Sequence, residues 1–379
     1  MRSIELFAGC GGLAKGLERA GLEHVGFFEF NRQACESLRA NFNPDLVYEG
    51  DVRKIDFTGF RGVDVVSGGP PCQPFSLGGL AKAYDDSRDM FPQAARVISE
   101  VRPRAFVFEN VKGLLREKFK PYFDYILLRL AYPDCHANEK ESWRDHAARL
   151  RAIQSGETHY RGVRYEIHHQ LLNAVDYGVA QIRERVFIVG FRSDLHVNWQ
   201  WPEPVCRTKD ERVSIARELA DVPDPRSAAN SFSDHVFIDG AREYPGHTGS
   251  DVSKPSKTIK AGAHGVPGGE NMLRFPDGTL RYMTVREAKL IQSFPPDFTV
   301  TGSWGEALRQ IGNAVPVRLA EAVGRRLVET LQDMQAAHAD EEIPIPQKPH
   351  GWSRLSGRRM RPMAQMSLMP CDTEMRKAR

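Results

Sequence analysis

The sequence holds no CxxC pair. Its six cysteines, at 10, 35, 72, 135, 206 and 371, stand singly. Such scatter excludes a zinc ribbon and a disulfide framework, and points to a reducing, cytoplasmic setting. No apolar run is long enough to span a bilayer, so no membrane association is expected. The opening MRSIELFAGCGG is too short in its apolar part and too glycine-rich for a secretory signal. His235, His247, His264 and Cys206 follow no ligand spacing, so no metal is expected. HGVPGGEN lacks the Gly-Lys-Ser/Thr ending of a phosphate loop. There is no internal repeat. Net charge is also scarce, +3 over 379 residues, and it is unevenly spread. From Ile343 to Arg379, eight Lys/Arg against two Asp/Glu give +6, which leaves −3 for everything before. That tail is rich in Pro, Met, Ser and Gly without helical periodicity, and reads as basic and disordered.

What is present is strand–helix alternation. SIELF, HVGFFEF, VDVVSG and RAFVFENV read as strands, with GLAKGLERAG, RQACESLRANF and FPQAARVISEV as helices between them. This implies an α/β fold, a doubly wound, mostly parallel sheet. A helix is expected around LLREKFKPYFDYILLRLA, followed by a polar insert at about 134–162. Within the insert Trp143, Ala147 and Leu150 share one helical stripe. VRYEIHHQLLN and ERVFIVGF read as a strand pair. Residues 192–280 are dominated by Pro, Gly and short irregular runs, which predicts a smaller, loop-rich domain. Helical patterns return at TVREAKLIQSF and PVRLAEAVGRRLVETLQDM, the second amphipathic enough to pack back on the first domain. The expected divisions are thus 1–191 with 281–338, then 192–280, then a tail at 339–379.

In the first turn, FAGCGGLAKG, Gly9, Gly11 and Ala14 match G-x-G-x-x-G/A, and Glu29 follows twenty positions after Gly9. Close backbone approach plus a carboxylate for a ribose diol suits a dinucleotide or S-adenosylmethionine. A purely structural turn fits the pattern equally well. Asp51, where a third strand should end, reads either as an adenine acceptor or as a turn cap. No dehydrogenase acid–base pair accompanies them.

After the fourth strand comes GGPPCQPFS, in which prolines on both sides of Cys72 make a stiff loop. At the carboxyl edge of a parallel sheet such a loop faces the ligand crevice. Taken alone, Cys72 reads as a buried structural thiol. Glu109 at the tip of the next strand, and Gln181, Arg183 and Arg185 alternating in QIRERVFIVG, change that reading. Alternation in a strand would point both guanidinium groups one way, which needs a nearby anion or carboxylate.

FAGCGG, Glu29, Asp51, GGPPCQPFS, ENV, QIRERV and IGNAVP, in this order, resemble the motif set of DNA cytosine-5 methyltransferases of the bacterial modification type. The resemblance covers about 1–130, 163–192 and 281–335. It implies S-adenosylmethionine as cofactor and a flipped-out cytosine in duplex DNA as target, at a flipping cost of a few kcal/mol. Cys72 would add to carbon 6, Glu109 would protonate or hydrogen-bond N3, and Arg183 and Arg185 would hold the pyrimidine carbonyl and a phosphate. Loss of the carbon-5 proton and expulsion of Cys72 would close the cycle. Phe7, Gly9, Gly11, Gly12, Glu29, Asp51, Pro71 and Asn313 map onto cofactor positions of the family. Ser76, Arg88 and Gln181 map onto DNA contacts, and 192–280 onto the target-recognition domain. There Lys254, Lys257, Lys260 and Arg274 are candidate phosphate and base contacts. A cognate restriction endonuclease sharing the site, and a monomeric enzyme, are also implied.

Two departures stand out. Asp89 in DSRDMF occupies a position where the family commonly has glycine, leaving Met90 as the candidate adenine contact. The insert at 134–162 is also longer than is usual there. Three alternatives remain open: an RNA cytosine methyltransferase, a DNA-binding protein that has lost catalysis, and a nicotinamide oxidoreductase.

Overall fold

Alternate residues of single strands go to two different cores, and this period of two organises the molecule. The computed structural model describes residues 1–71, 89–245, 247–261 and 271–339, with Met1–Met334 as one compact unit. Cys72, Ser76, Arg88 and His264, and the basic tail beyond residue 339, lie outside the described residues.

The sheet contains β1 (Arg2–Leu6), β2 (Glu23–Glu29), β3 (Val47–Glu49), β4 (Val65–Gly68), β5 (Ala105–Val111), β6 (Tyr165–Asn173) and β7 (Glu184–Arg192). Their spatial order is β3-β2-β1-β4-β5-β7-β6. The first five pair in parallel, whereas β7 runs antiparallel to both β5 and β6. The sequence therefore anticipated a mostly parallel, doubly wound sheet and its strand pair.

On one face Val66, Phe106, Phe108 and Ile188 pack with α3 (Phe91–Val101), α4 (Lys120–Ala131) and α5 (Trp143–Gln154). On the other, Val65, Val107, Phe187 and Val189 meet Leu13 and Leu17 of α1 (Gly12–Arg19). Leu319, Val323 and Leu327 of α9 (Val317–Ala339) close that second layer, as its amphipathic pattern led us to expect. Burial of each such Leu or Val contributes about 1.5–3 kcal/mol. α2 (Arg32–Asn41) starts at Asn31, whose side chain accepts from Ala34 N–H.

The insert does carry a helix, α5. Ser142 caps it, and Ala147 and Leu150 are buried against α4. The helix expected from LLREKF onward begins only at Lys120, after two 3-10 turns over Lys112–Leu115 and Glu117–Phe119. Pro121 sits in the first turn of α4, where its missing N–H costs nothing.

The loop-rich segment has few regular elements: α6 (Ile215–Glu218), β8 (Ser250–Asp251) and β9 (Met272–Arg274). With β10 (Leu280–Tyr282), β8 and β9 form a three-stranded sheet. Ile215, Val252, Ile259 and Leu273 share a small core with Ala288 and Ile291 of α7 (Val285–Ile291) and Leu308 and Ile311 of α8 (Trp304–Asn313). No described helix is long and apolar enough to cross a membrane.

Candidate active site

β1 leads to β2 on one side of the sheet, while the chain later returns to lay β4 on the other. The carboxyl ends of β1 and β4 thus flank a topological switch point, where crevices form. The turns that occupy it are FAGCGG after β1 and GGPP after β4.

In the first turn Phe7 and Gly9 have positive φ (53° and 54°), and Gly11, at 93°, precedes α1 in the left-handed region. Gly12 is small for a different reason: a Cβ there would stand 2.4 Å from the Val315 carbonyl. Glu29 organises the turn, its Oε2 accepting from Gly9 N–H at 2.8 Å and its Oε1 from Phe30 and Asn31 N–H at 2.9 and 2.7 Å. Oε1 is thereby filled, whereas Oε2 retains a lone pair for a further donor. Phe30 beside it is 77 % exposed, a large ring left at the mouth of the crevice that the sequence reading missed. Asn313, at the end of α8, is exposed, as is Pro71. Asp51 caps the turn after β3: it accepts from Arg53 N–H and forms a bidentate ion pair with the Arg53 guanidinium. Those bonds hold its carboxyl below the usual range.

The second turn is fastened to its neighbours. Asn110 Nδ2 donates to the Pro70 carbonyl at 2.9 Å, and Met90 N–H to the Pro71 carbonyl at 3.2 Å. In the sequence Asn110 is marked only by its place in ENV, at the strand tip one residue past Glu109.

Glu109 is buried, its Oε1 2.7 Å from Arg185 Nε. The β5–β7 register pairs Glu109 with Phe187 and Val111 with Arg185. Glu109 and Arg185 are therefore diagonal neighbours on one face, within reach of long side chains. Glu109 Oε2 lies 3.6 Å from where a Gly69 Cβ would stand, so the carboxyl adjoins the chain three residues before Cys72. Burial raises the Glu109 pKa, against the pull of Arg185 and then Arg183. Burial pushes the Cys10 and Cys35 thiols up to about 12, which leaves both protonated and inert near neutrality.

Two expectations need correction. Gln181 and Arg183 precede β7, which starts at Glu184, and both are fully buried. Arg183 spends its guanidinium on backbone carbonyls: Nη1 donates to Ile259, and Nη2 to Gly312 and Ala314. Gln181 donates to Gln292 Oε1 and accepts from Ile259 N–H. Gln292 in turn donates to the Ile311 and Ala314 carbonyls. Both side chains turn inward to protein partners rather than lying along a strand face with Arg185. They belong to a buried polar lock joining the QIR segment, residue 259 and the GNAV turn. Nothing in the sequence singled out Gln292, because its partners, the Gln181 side chain and the Ile311 and Ala314 carbonyls, are distant in the chain.

In the loop-rich segment Lys257 and Lys260 are exposed, with Lys257 Nζ on Thr248 Oγ1. Arg274 is engaged by Glu243 Oε1 and the Thr248 carbonyl, which ties down the expected base contact. Lys254 pairs with Asp251. Among the described residues no His, Cys, Asp and Glu cluster could hold a metal.

The family model for C-5 cytosine-specific DNA methylase matches residues 1–133 and 151–329. The type II methyltransferase M.NgoMIV of Neisseria gonorrhoeae is 35 % identical over 345 residues, 87 % of this chain and 98 % of its own. The type II methyltransferase M.PspPI of a Psychrobacter strain is 32 % identical, over 86 % and 79 % of the two chains. Among solved structures, a putative DNA modification methyltransferase from an Escherichia coli prophage aligns with TM-score 0.63 at 23 % identity, over 88 % of this chain and 99 % of its own. The Schizosaccharomyces pombe Dnmt2 methyltransferase aligns with TM-score 0.60 at 19 % identity, over 87 % and 99 %. These two show the shared fold. With the family model spanning most of the chain and relatives matched nearly end to end, this protein belongs to the C-5 cytosine-specific DNA methylases.

Proposed function

We propose that the protein methylates carbon 5 of one cytosine within a specific duplex DNA sequence, using S-adenosylmethionine, as the modification enzyme of a type II restriction-modification system. The observation that carries this reading is the Glu109–Arg185 pair lying against Gly69, at the base of the loop that bears Cys72.

The first turn fits an adenosine-bearing methyl donor. Glu29 keeps acceptor capacity for ribose hydroxyls, the Gly9 Cβ position is open, and Phe30, Pro71 and Asn313 offer exposed surface around it. When bound, S-adenosylmethionine supplies an electrophilic methyl group on a sulfonium. Cys72 is assigned as the nucleophile that adds to carbon 6 of the flipped base. Glu109, whose burial favours the protonated form, delivers a proton to N3 as the Cys72 sulfur pair forms the bond to carbon 6, and the displaced ring π electrons leave an enamine that is nucleophilic at carbon 5. Arg185 orients Glu109 and faces the base. After carbon 5 takes the methyl group and loses its proton, Cys72 is expelled and the ring is restored. Residues 192–280 are assigned to target recognition, with Lys257 and Lys260 as phosphate contacts.

The test incubates the full chain with labelled S-adenosylmethionine and either duplex DNA or tRNA. Label in DNA that is lost in Cys72→Ala is expected, with a covalent adduct on 5-fluorocytosine DNA. Label only in tRNA would refute the substrate. Bisulfite sequencing of DNA from expressing cells then reads the target sequence.

A further inference from the structure

The two departures noted in the sequence, Asp89 and the insert, meet in the structure. Asp89 Oδ1 accepts from Phe91 N–H at 3.1 Å, occupying an orphan donor at the start of α3. Its Oδ2 accepts from the Tyr122 hydroxyl. Tyr122 lies on α4, 3 % exposed, with its ring edge-on to Trp143 at 5.3 Å between centroids. Trp143 is the first residue of α5, which is held on α4 by the 3.0 Å bond between Tyr125 and His146 and by buried Ala147 and Leu150. The family model passes over 134–150, so Trp143 and His146 lie outside the residues it matches. Glycine at position 89 could offer neither acceptor.

The residue after Asp89 donates to the carbonyl of Pro71, the residue before Cys72. The peptide of Pro70, one residue earlier, is held by Asn110, next to Glu109. Asp89 thus stands where α3 meets the base of the Cys72 loop, and Tyr122 and the insert fix it from behind.

We propose that Asp89 is a positioning residue for methyl transfer, held by Tyr122 and braced by Trp143 of the insert so that Met90 and the Pro71 carbonyl keep the Gly69–Pro71 turn against Asn110 and Glu109. The assignment rests on Cys72 being the nucleophile. Replacing the family's glycine with a charge-assisted hydrogen bond gives the insert a role in catalysis, acting through position rather than contact.

The test is single-turnover methylation by the full-length protein at saturating DNA and S-adenosylmethionine. Tyr122→Phe, which keeps the ring, and Asp89→Gly are each expected to slow transfer by about tenfold, the worth of one hydrogen bond to a charged group. Affinities for DNA and cofactor should stay within about twofold, since the bond acts on the transfer step alone. The double variant should be no slower than the slower single one. A merely structural bond would lower the melting temperature and leave the transfer rate unchanged. Wild-type rates in Asp89→Gly, or fully additive losses in the double variant, would overturn the proposal. Should Tyr122→Phe not fold, Asp89→Gly decides on the same criterion. Failure of the underlying mechanism would appear separately, as undiminished methylation by Cys72→Ala.

Discussion

Arg185 Nε lies 2.7 Å from Glu109 Oε1 across two antiparallel strands, and both side chains are about nine-tenths removed from solvent. A charged pair so placed is costly to assemble and more costly to break from one side. Glu109→Gln keeps the shape and removes the acid. It should lower the methylation rate by about 10²–10⁴-fold, the span of general acid catalysis, while DNA binding persists. Arg185→Ala should destabilise the fold by about 3–5 kcal/mol in urea titrations, because it leaves Glu109 buried without its counter-charge. It should also raise the Glu109 pKa further, since burial then acts with less opposition.

Arg183 gives a contrasting expectation. Its three carbonyl partners span residue 259 and the GNAV turn, and a lysine ammonium lacks the planar fork that reaches them together. Arg183→Lys should cost about 1–3 kcal/mol for each carbonyl stranded, read by chemical denaturation. The salt dependence of DNA binding should not change, as the side chain is fully buried.

Lys257 and Lys260 should behave in the opposite way. Both are exposed in the segment assigned to recognition. Replacing either by alanine should leave stability unchanged and weaken DNA binding similarly across sequences. The slope of log affinity against log salt should fall by about one for each lysine.

Glu5 offers a pH signature. It lies buried beneath the first turn, accepting from Ala14 N–H and the Ser67 hydroxyl, and burial pushes its pKa from 4.5 up to about 8. The folded state therefore holds the proton more tightly than the unfolded chain. The resulting stability is complete below about pH 4.5 and is lost as pH rises through about 8. Melting temperatures of the wild type should fall across that window more steeply than those of Glu5→Gln.

The order of motifs, the alternation of strands with helices and the amphipathic stripe at Trp143, Ala147 and Leu150 are local properties. They determined the family, the doubly wound sheet and the helix in the insert, because periodicity and turn chemistry act over a few residues. The alternation of arginines in QIRER called for a nearby anion or carboxylate, and Glu109 is that carboxylate for Arg185. What the sequence could not determine depends on segments meeting from far apart. That the carbonyls of Ile259, Gly312 and Ala314 would close around Arg183, and Gln292 and the Ile259 N–H around Gln181, could not be read from the chain. The ion pair of Asp51 with Arg53 was likewise not marked in the sequence. Asp89 was only a departure until α4 brought Tyr122 against it. A hydrogen bond between side chain and distant backbone leaves no pattern in the chain, and only packing decides which donor meets which acceptor.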